Sequence, residues 1–205
     1  MDALRPELRL LLISGSLRAD STNTAALRTV QATVHDGITA VLYQGLGALP
    51  HFNPDDDAEG ASVHPAVADL RGHIGDADAL LLSTPEYAGA LPGSFKNLLD
   101  WTVGGGEIYG KPVAWLNVSG AAAPTGGADA HDSLRKVLGY TGAEIVETAC
   151  LRVPVPRGAI GADGIIEDRA IEKDLTGAVA RLGAHLQRAG ADPPRGWAVR
   201  GSGTP

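Results

Sequence analysis

The sequence predicts a three-layer α/β sandwich built on a parallel sheet, and three observations carry that expectation. Five apolar runs alternate strictly with five stretches of helical spacing, the order that repeated right-handed crossovers produce. Most of the runs are continuously apolar, as strands are when helices cover both faces of their sheet. A chain of 205 residues also suits one α/β domain with a full core.

Strands are expected over 8–14, 39–43, 77–83, 112–119 and 144–153, and helices over 22–35, 63–75, 93–101, 127–139 and 166–188. In the last helix Ile171, Leu175, Val179, Leu182 and Leu186 recur every three to four residues, with Glu172, Lys173 and Arg181 on other faces. The stretch 45–60 is rich in Pro, Gly and Asp and reads as a loop, with Asp55, Asp56 and Asp57 as solvated surface. Residues 1–190 are expected to form the domain, and the Pro- and Gly-rich 191–205 a C-terminal tail.

Lys and Arg number 17 against 24 Asp and Glu, a net charge of −7. That balance disfavours nucleic acid and anionic lipid as partners but leaves room for a local phosphate site. The single cysteine, Cys150, excludes an internal disulfide framework and a multi-thiolate zinc site, so a cytoplasmic setting is expected. Cys150 itself reads as a buried structural thiol in the fifth strand. No segment reaches the roughly 20 apolar residues of a membrane span. The six histidines show no metal-ligand pairing, so no metal is expected; His131 is the one close to a candidate loop.

In an open parallel sheet, ligands bind at the carboxyl ends of strands where the strand order reverses. The loops after the first, third and fourth strands are therefore the candidate site. The first loop, residues 14–24, gathers Ser14, Ser16, Arg18, Ser21, Thr22, Asn23 and Thr24 at the start of a helix. Hydroxyls, an amide, a guanidinium and the free N–H groups of a helix N-terminus together suit a phosphate monoester. A plain helix cap requires only one such residue. Two other phosphate motifs fail. The G-x-G-x-x-G fingerprint is missing after the first strand, and Gly105-x4-Gly110-Lys111 precedes a strand and runs into Pro112.

The second loop runs from Ser83 to Gly93, stiffened by Pro85 and Pro92, with Gly89 and Gly93 allowing close approach of a flat group. Amides of Tyr87, Ala88 and Gly89 are candidate donors to a ring, and Tyr87 offers an aromatic wall. Taken alone, this loop is better accounted for by an ordinary turn with a packed tyrosine. No G-x-S-x-G elbow is present.

Two motifs then carry a resemblance. Gly15-Ser16-Leu17-Arg18-x-x-Ser21-x-Asn23 and Pro85-Glu86-Tyr87-x4-Pro92-Gly93-x2-Lys96-Asn97-x2-Asp100-Trp101 are similar to the paired signatures of the NADPH-dependent FMN reductase family. That family includes chromate- and quinone-reducing flavoproteins and azoreductases. The resemblance spans about residues 8–190 and implies a flavodoxin-like three-layer sandwich with a five-stranded parallel sheet of order 2-1-3-4-5, FMN lying between strands 1 and 3. It implies that Ser16, Arg18, Ser21, Asn23 and Thr24 hold the FMN phosphate. Pro85, Glu86, Tyr87, Ala88 and Gly89 would line the ring largely through backbone, and the third loop, from Ser119 and Gly120 to Gly127, would close its other side. Lys96, Asn97, Asp100 and Trp101 fall on the third helix, where packing or a subunit interface is expected. Many relatives carry Asn where this chain has Ala88.

The implied activity is oxidoreduction. Hydride would pass from NADPH or NADH to bound FMN and then to a small-molecule acceptor such as a quinone, flavin, azo compound or chromate. No side chain is then expected to act as acid, base or nucleophile, since the cofactor carries the reaction. A homodimer or homotetramer is implied as well. The rival reading is a flavodoxin-type electron carrier without nicotinamide turnover, against which stands the low aromatic content of 4%.

Overall fold

A computed structural model describes residues 7–34, 37–58, 60, 62–120 and 123–191. The tail expected over 191–205 lies, from residue 192 onward, outside these described residues.

The chain alternates as expected. Strand β1 (Leu8–Ser14) leads to helix α1 (Thr22–Thr33) and β2 (Ile38–Tyr43); α2 (Pro65–Asp76) leads to β3 (Ala79–Ser83). Helices α3 (Gly93–Asp100) and α4 (Thr102–Gly105) precede β4 (Pro112–Asn117), and α5 (Ala128–Thr141) precedes β5 (Glu144–Ile145) and β6 (Leu151–Arg152). The long α6 (Arg169–Ala191) follows. All strand pairings are parallel and the order is β2-β1-β3-β4-β5. The chain leaves β1 for the outer strand β2 and returns to β3 on the other side, which creates the switch point between β1 and β3.

Strand alternation distributes the core over the two sheet faces. Leu11 and Ile13 of β1, Leu80 and Leu82 of β3, and Val113 and Trp115 of β4 pack with α2, α3 and α5. Their neighbours Leu10, Leu12, Ala79, Leu81, Ala114 and Leu116 pack with α1 and α6. Both faces are covered, so these strands read as unbroken apolar runs. At 0% exposure Leu12 gains about 1.5–3 kcal/mol from burial, and replacing it by Ala would cost about 2–5 kcal/mol. The edge strand β2 is different: half-buried and exposed positions alternate along it, and only Tyr43 is buried.

Two sequence expectations are corrected. The single fifth strand, and with it the five-stranded sheet, becomes two short strands in a six-stranded sheet: β5 pairs with Pro112 and Val113, and β6 pairs with Leu116 and Asn117. A 3-10 turn, Glu147–Ala149, separates them, closed by N–H donation from Ala149 to Val146 O and from Cys150 to Glu147 O. Glu and Ala are poor strand formers, and the turn takes up the extra chain. The last helix begins at Arg169 rather than residue 166, because Ile166 forms an antiparallel bridge with Ile160.

The loop after β2 is pinned by the second motif. Asn97 Nδ2 and Trp101 Nε1 both donate to Pro50 O at 2.8 Å, and Asn97 Oδ1 accepts from Phe52 N at 2.7 Å. Intramolecular packing thus accounts for both residues, while Lys96 and Asp100 pair along the helix at 2.5 Å. Asp57 departs from the expected solvated surface. Its carboxylate is buried against the Arg71 guanidinium at 2.7 Å, which also donates to Trp101 O.

Candidate functional site

The carboxyl ends of β1, β3 and β4 deliver three loops to one end of the sheet. Ser14 and Ser83, at the ends of β1 and β3, are directly paired in register. Gly15 follows at a point where a Cβ would lie 2.6 Å from Thr84 Oγ1 and 2.9 Å from the Phe95 ring. Only glycine lets the first loop turn so close to the second.

The first loop is built from its own hydroxyls. Ser21 is the N-cap of α1, its Oγ accepting from Thr24 N at 3.3 Å. Accepting leaves the hydroxyl proton free to donate outward. Ser14 Oγ and Thr24 Oγ1 lie 2.8 Å apart, and Ser16 Oγ accepts from Arg18 N at 3.3 Å. Asn23 is buried, and its Oδ1 accepts from Ser83 Oγ at 2.8 Å, which turns its NH2 away from the sheet as a donor. The exposed Arg18 guanidinium has no ion-pair partner among the described residues.

The second loop closes as a tight hairpin. Tyr87 and Ala90 exchange both backbone hydrogen bonds at 3.1 Å across Ala88 (φ 51°) and Gly89 (φ 71°). Positive φ at both central residues is the mark of a type I′ turn. The Tyr87 N–H, expected as a ring donor, is engaged inside this turn, leaving the Ala88 and Gly89 amides as donors. The Tyr87 side chain is 48% exposed.

The third loop is held at both ends by Asn117. Its Oδ1 accepts from Ser119 N at 3.0 Å and its Nδ2 donates to Gly126 O at 2.8 Å. Thr125 Oγ1 donates to Glu86 Oε2 at 2.7 Å, which joins the second and third loops. Beneath them His131 is buried, with Nδ1 2.5 Å from Gly127 O. Burial pushes its pKa down, against the opposing pull of the Gly127 carbonyl and of Glu86 and Asp132, so the ring is held neutral.

These loops enclose a cleft of about 660 Å³. Of the residues singled out from the sequence, Thr22, Asn23, Pro85, Glu86, Ser119, Gly120 and Gly127 line it. Ser21 lines an adjoining cavity instead. Ser16, Arg18, Thr24, Tyr87, Ala88 and Gly89 belong to the surrounding loops without forming its wall. Thr125 lies within the expected third loop without having been singled out, and sequence reasoning missed the segment Val155, Pro156 and Arg157, which lines the same cleft. The missed residues carried no motif; the signal available was that the chain after the fifth strand must cross the site to reach α6. Cys150 is a partly buried thiol packed between both core clusters, and burial raises its pKa to about 11. Among the described residues no three His, Cys, Asp or Glu side chains gather as a metal site, and no helix is long and apolar enough to cross a membrane.

Fold and site define a doubly wound α/β protein with a cleft at its switch point. The family model described as NADPH-dependent FMN reductase matches residues 8–154, and the chain belongs to that family. It is similar to an NAD(P)H-dependent FMN reductase of Pseudomonas aeruginosa, 34% identical over 169 residues, covering 81% of this chain and 89% of that protein. A 2-hydroxy-1,4-benzoquinone reductase of a Burkholderia species is 31% identical over 171 residues, covering 82% and 90%. The solved structure of FerB, a flavoenzyme NAD(P)H:(acceptor) oxidoreductase of Paracoccus denitrificans, aligns with a TM-score of 0.74 at 28% identity, over 88% of this chain and 98% of that one. A WrbA-like flavodoxin from Agrobacterium tumefaciens, 13% identical with a TM-score of 0.53 over 88% of this chain and 98% of that one, shares the fold. The chain is an oxidoreductase of the FMN- and NAD(P)H-using kind.

Proposed function

We propose that this protein catalyses FMN-dependent reduction of a small quinone-type acceptor by NAD(P)H. The observation that carries the reading is the cleft at the switch point. It has hydrogen-bond donors at the α1 end, and among the described residues no aromatic side chain lines it. A flat cofactor there keeps one face open to a second flat molecule, as turnover requires and a sealed carrier does not.

The residues present suit FMN. The N–H groups of Thr22 and Asn23 open α1 without intrahelical partners, and the positive end of the helix favours an anion. Asn23 NH2 and the hydroxyls of Ser16, Ser21 and Thr24 add neutral donors, and Arg18 adds a charge-assisted one. The Ala88 and Gly89 amides, fixed by their turn, supply preorganised donors for negative charge on a ring. Pro85, Ser119 and Gly120 present little bulk beside it. Bound FMN supplies the two-electron chemistry; the protein positions it, excludes water and neutralises charge. The quinone assignment is supported by the Burkholderia relative. We also propose a homodimer or homotetramer, supported by the exposed side chains of Val103, Tyr109 and Tyr140 and testable by light scattering.

The deciding experiment is an absorption spectrum of the FMN-loaded protein without oxygen. NADPH or NADH is expected to bleach the flavin, and 1,4-benzoquinone to restore its colour. Retained flavin that neither nicotinamide bleaches would favour the carrier, and a colourless protein that takes up no FMN would overturn the flavin reading itself.

A further inference from the structure

A second cavity, of about 430 Å³, lies between α1 and the turn at 160–164. Arg157 lines both this cavity and the flavin cleft, so one ligand can extend from one to the other.

Two arginines, Arg28 and Arg157, line it. Arg28, in the second turn of α1, reaches to the far wall, where its Nη1 lies 3.2 Å from the position a Cβ would take on Gly164. Neither Arg28 nor Arg157 has an ion-pair partner among the described residues, although the chain carries a net charge of −7. Asp20 and Asp163 also line the cavity. Asp163 Oδ1 accepts from Ile165 N at 3.0 Å, and Glu167 stands beside Gly161 at the rim.

That mixture selects among anions. A bare inorganic phosphate gains from the arginines and loses to the carboxylates. A phosphorylated ribose uses both: its phosphate takes the guanidinium forks, its hydroxyls donate to carboxylates, and its carbon framework packs on Ala25 and Ile160. The volume falls within the range of small-molecule sites, about 300–1,000 Å³.

Resting on the nicotinamide dependence proposed above, we propose that this cavity receives the adenosine 2′-phosphate end of NADPH. Arg28 is then the residue that separates NADPH from NADH. Arg157 spans both cavities and can touch either ligand, so Arg28, which lines only the second, is the clean probe.

The test has two arms. In the first, FMN-saturated protein is titrated calorimetrically with 2′,5′-ADP, 5′-ADP and inorganic phosphate. The 2′-phosphorylated nucleotide should bind about tenfold or more tightly than 5′-ADP, a difference that Arg28→Ala removes and Arg28→Lys partly keeps. In the second, anaerobic bleaching by NADPH and NADH is compared. Arg28→Ala should lower the ratio of kcat/KM for NADPH over NADH by about tenfold or more, chiefly through KM. Equal binding of the two nucleotides, or an unchanged ratio in Arg28→Ala, overturns the proposal. Bleaching by neither nicotinamide would instead sink the functional reading, while the nucleotide titration still decides the cavity. Inorganic phosphate binding as tightly as 2′,5′-ADP would also overturn the proposal, by showing an unspecific anion site.

Discussion

Glu86 caps helix α5 from outside it, its Oε2 lying 3.3 Å from Ala130 N. The helix starts after Gly127, which has no side chain with which to cap it. The second loop therefore supplies the acceptor, and the same oxygen receives the Thr125 hydroxyl at 2.7 Å. One carboxylate joins two walls of the cleft and places negative charge at the positive end of the helix.

Removing that carboxylate should loosen both walls together. Glu86→Ala is expected to lower stability by about 1 kcal/mol, the usual loss on deleting a cap. Glu86→Gln should lose less, because its amide oxygen still accepts. Urea unfolding measures the difference, and FMN retention should fall in the same order. An alanine variant as stable as the parent would show that the contact does not hold the loops.

Ala88 occupies a left-handed position, φ 51°, at the first central residue of its turn. A side chain with a plain Cβ is strained there by about 1–2 kcal/mol, and Asn or Gly tolerates the conformation. Ala88→Asn and Ala88→Gly should each raise the melting temperature, by about 2–4 °C per kcal/mol regained in a chain of this size. A fall in both would mean that the turn does not hold this conformation.

Much of this architecture was legible in the sequence for a physical reason. Leu10 to Ile13, Leu80 to Leu82 and Val113 to Leu116 are buried on both sheet faces, so burial writes an unbroken apolar run. The fifth strand position misled, because Val146, Cys150 and Leu151 are as apolar as a strand while Glu147–Ala149 folds into a turn. The first loop was legible because hydroxyls cluster locally. Asn117 and Thr125 were not, since their partners Gly126 and Glu86 lie 9 and 39 residues away in sequence. The closed turn at Tyr87 also escaped notice, because Ala88-Gly89 is a weaker signal for it than Asn-Gly.

The clamp on the loop after β2 should be testable through Asn97. Replacing it by Ala leaves Phe52 N–H without its acceptor and Pro50 O with Trp101 Nε1 alone. An unmet buried donor costs about 1–3 kcal/mol. Asn97→Ala should therefore unfold at lower urea and be cleaved faster within 49–58 by a broad-specificity protease. Unchanged cleavage would show that Trp101 alone suffices.

Arg18 should govern how tightly the flavin is held. A charge-assisted hydrogen bond to a phosphate contributes about 1.5–3 kcal/mol, so Arg18→Ala should weaken FMN binding by about tenfold or more. Thr24→Val should matter less, since Thr24 Oγ1 is already paired with Ser14 Oγ. Fluorescence titration of flavin-stripped protein checks both. A larger loss in the Thr24 variant would reverse the ranking.

Alkaline pH should destabilise the fold through two buried acids. Burial pushes the Cys150 thiol from 9.0 to about 11. The Tyr43 phenol rises from 10.0 to about 12, through burial first and then the nearby charge of Asp69. Both values are raised, so the folded state keeps protons that the unfolded chain has begun to lose. Their contribution is whole below pH 9 and is lost as pH rises through about 11 and then 12. The melting temperature should fall steadily over that window. Cys150→Ser, whose hydroxyl does not titrate there, should flatten the first part of the fall and leave turnover intact. A melting temperature constant from pH 9 to 11 would mean that neither group is shielded as its burial requires.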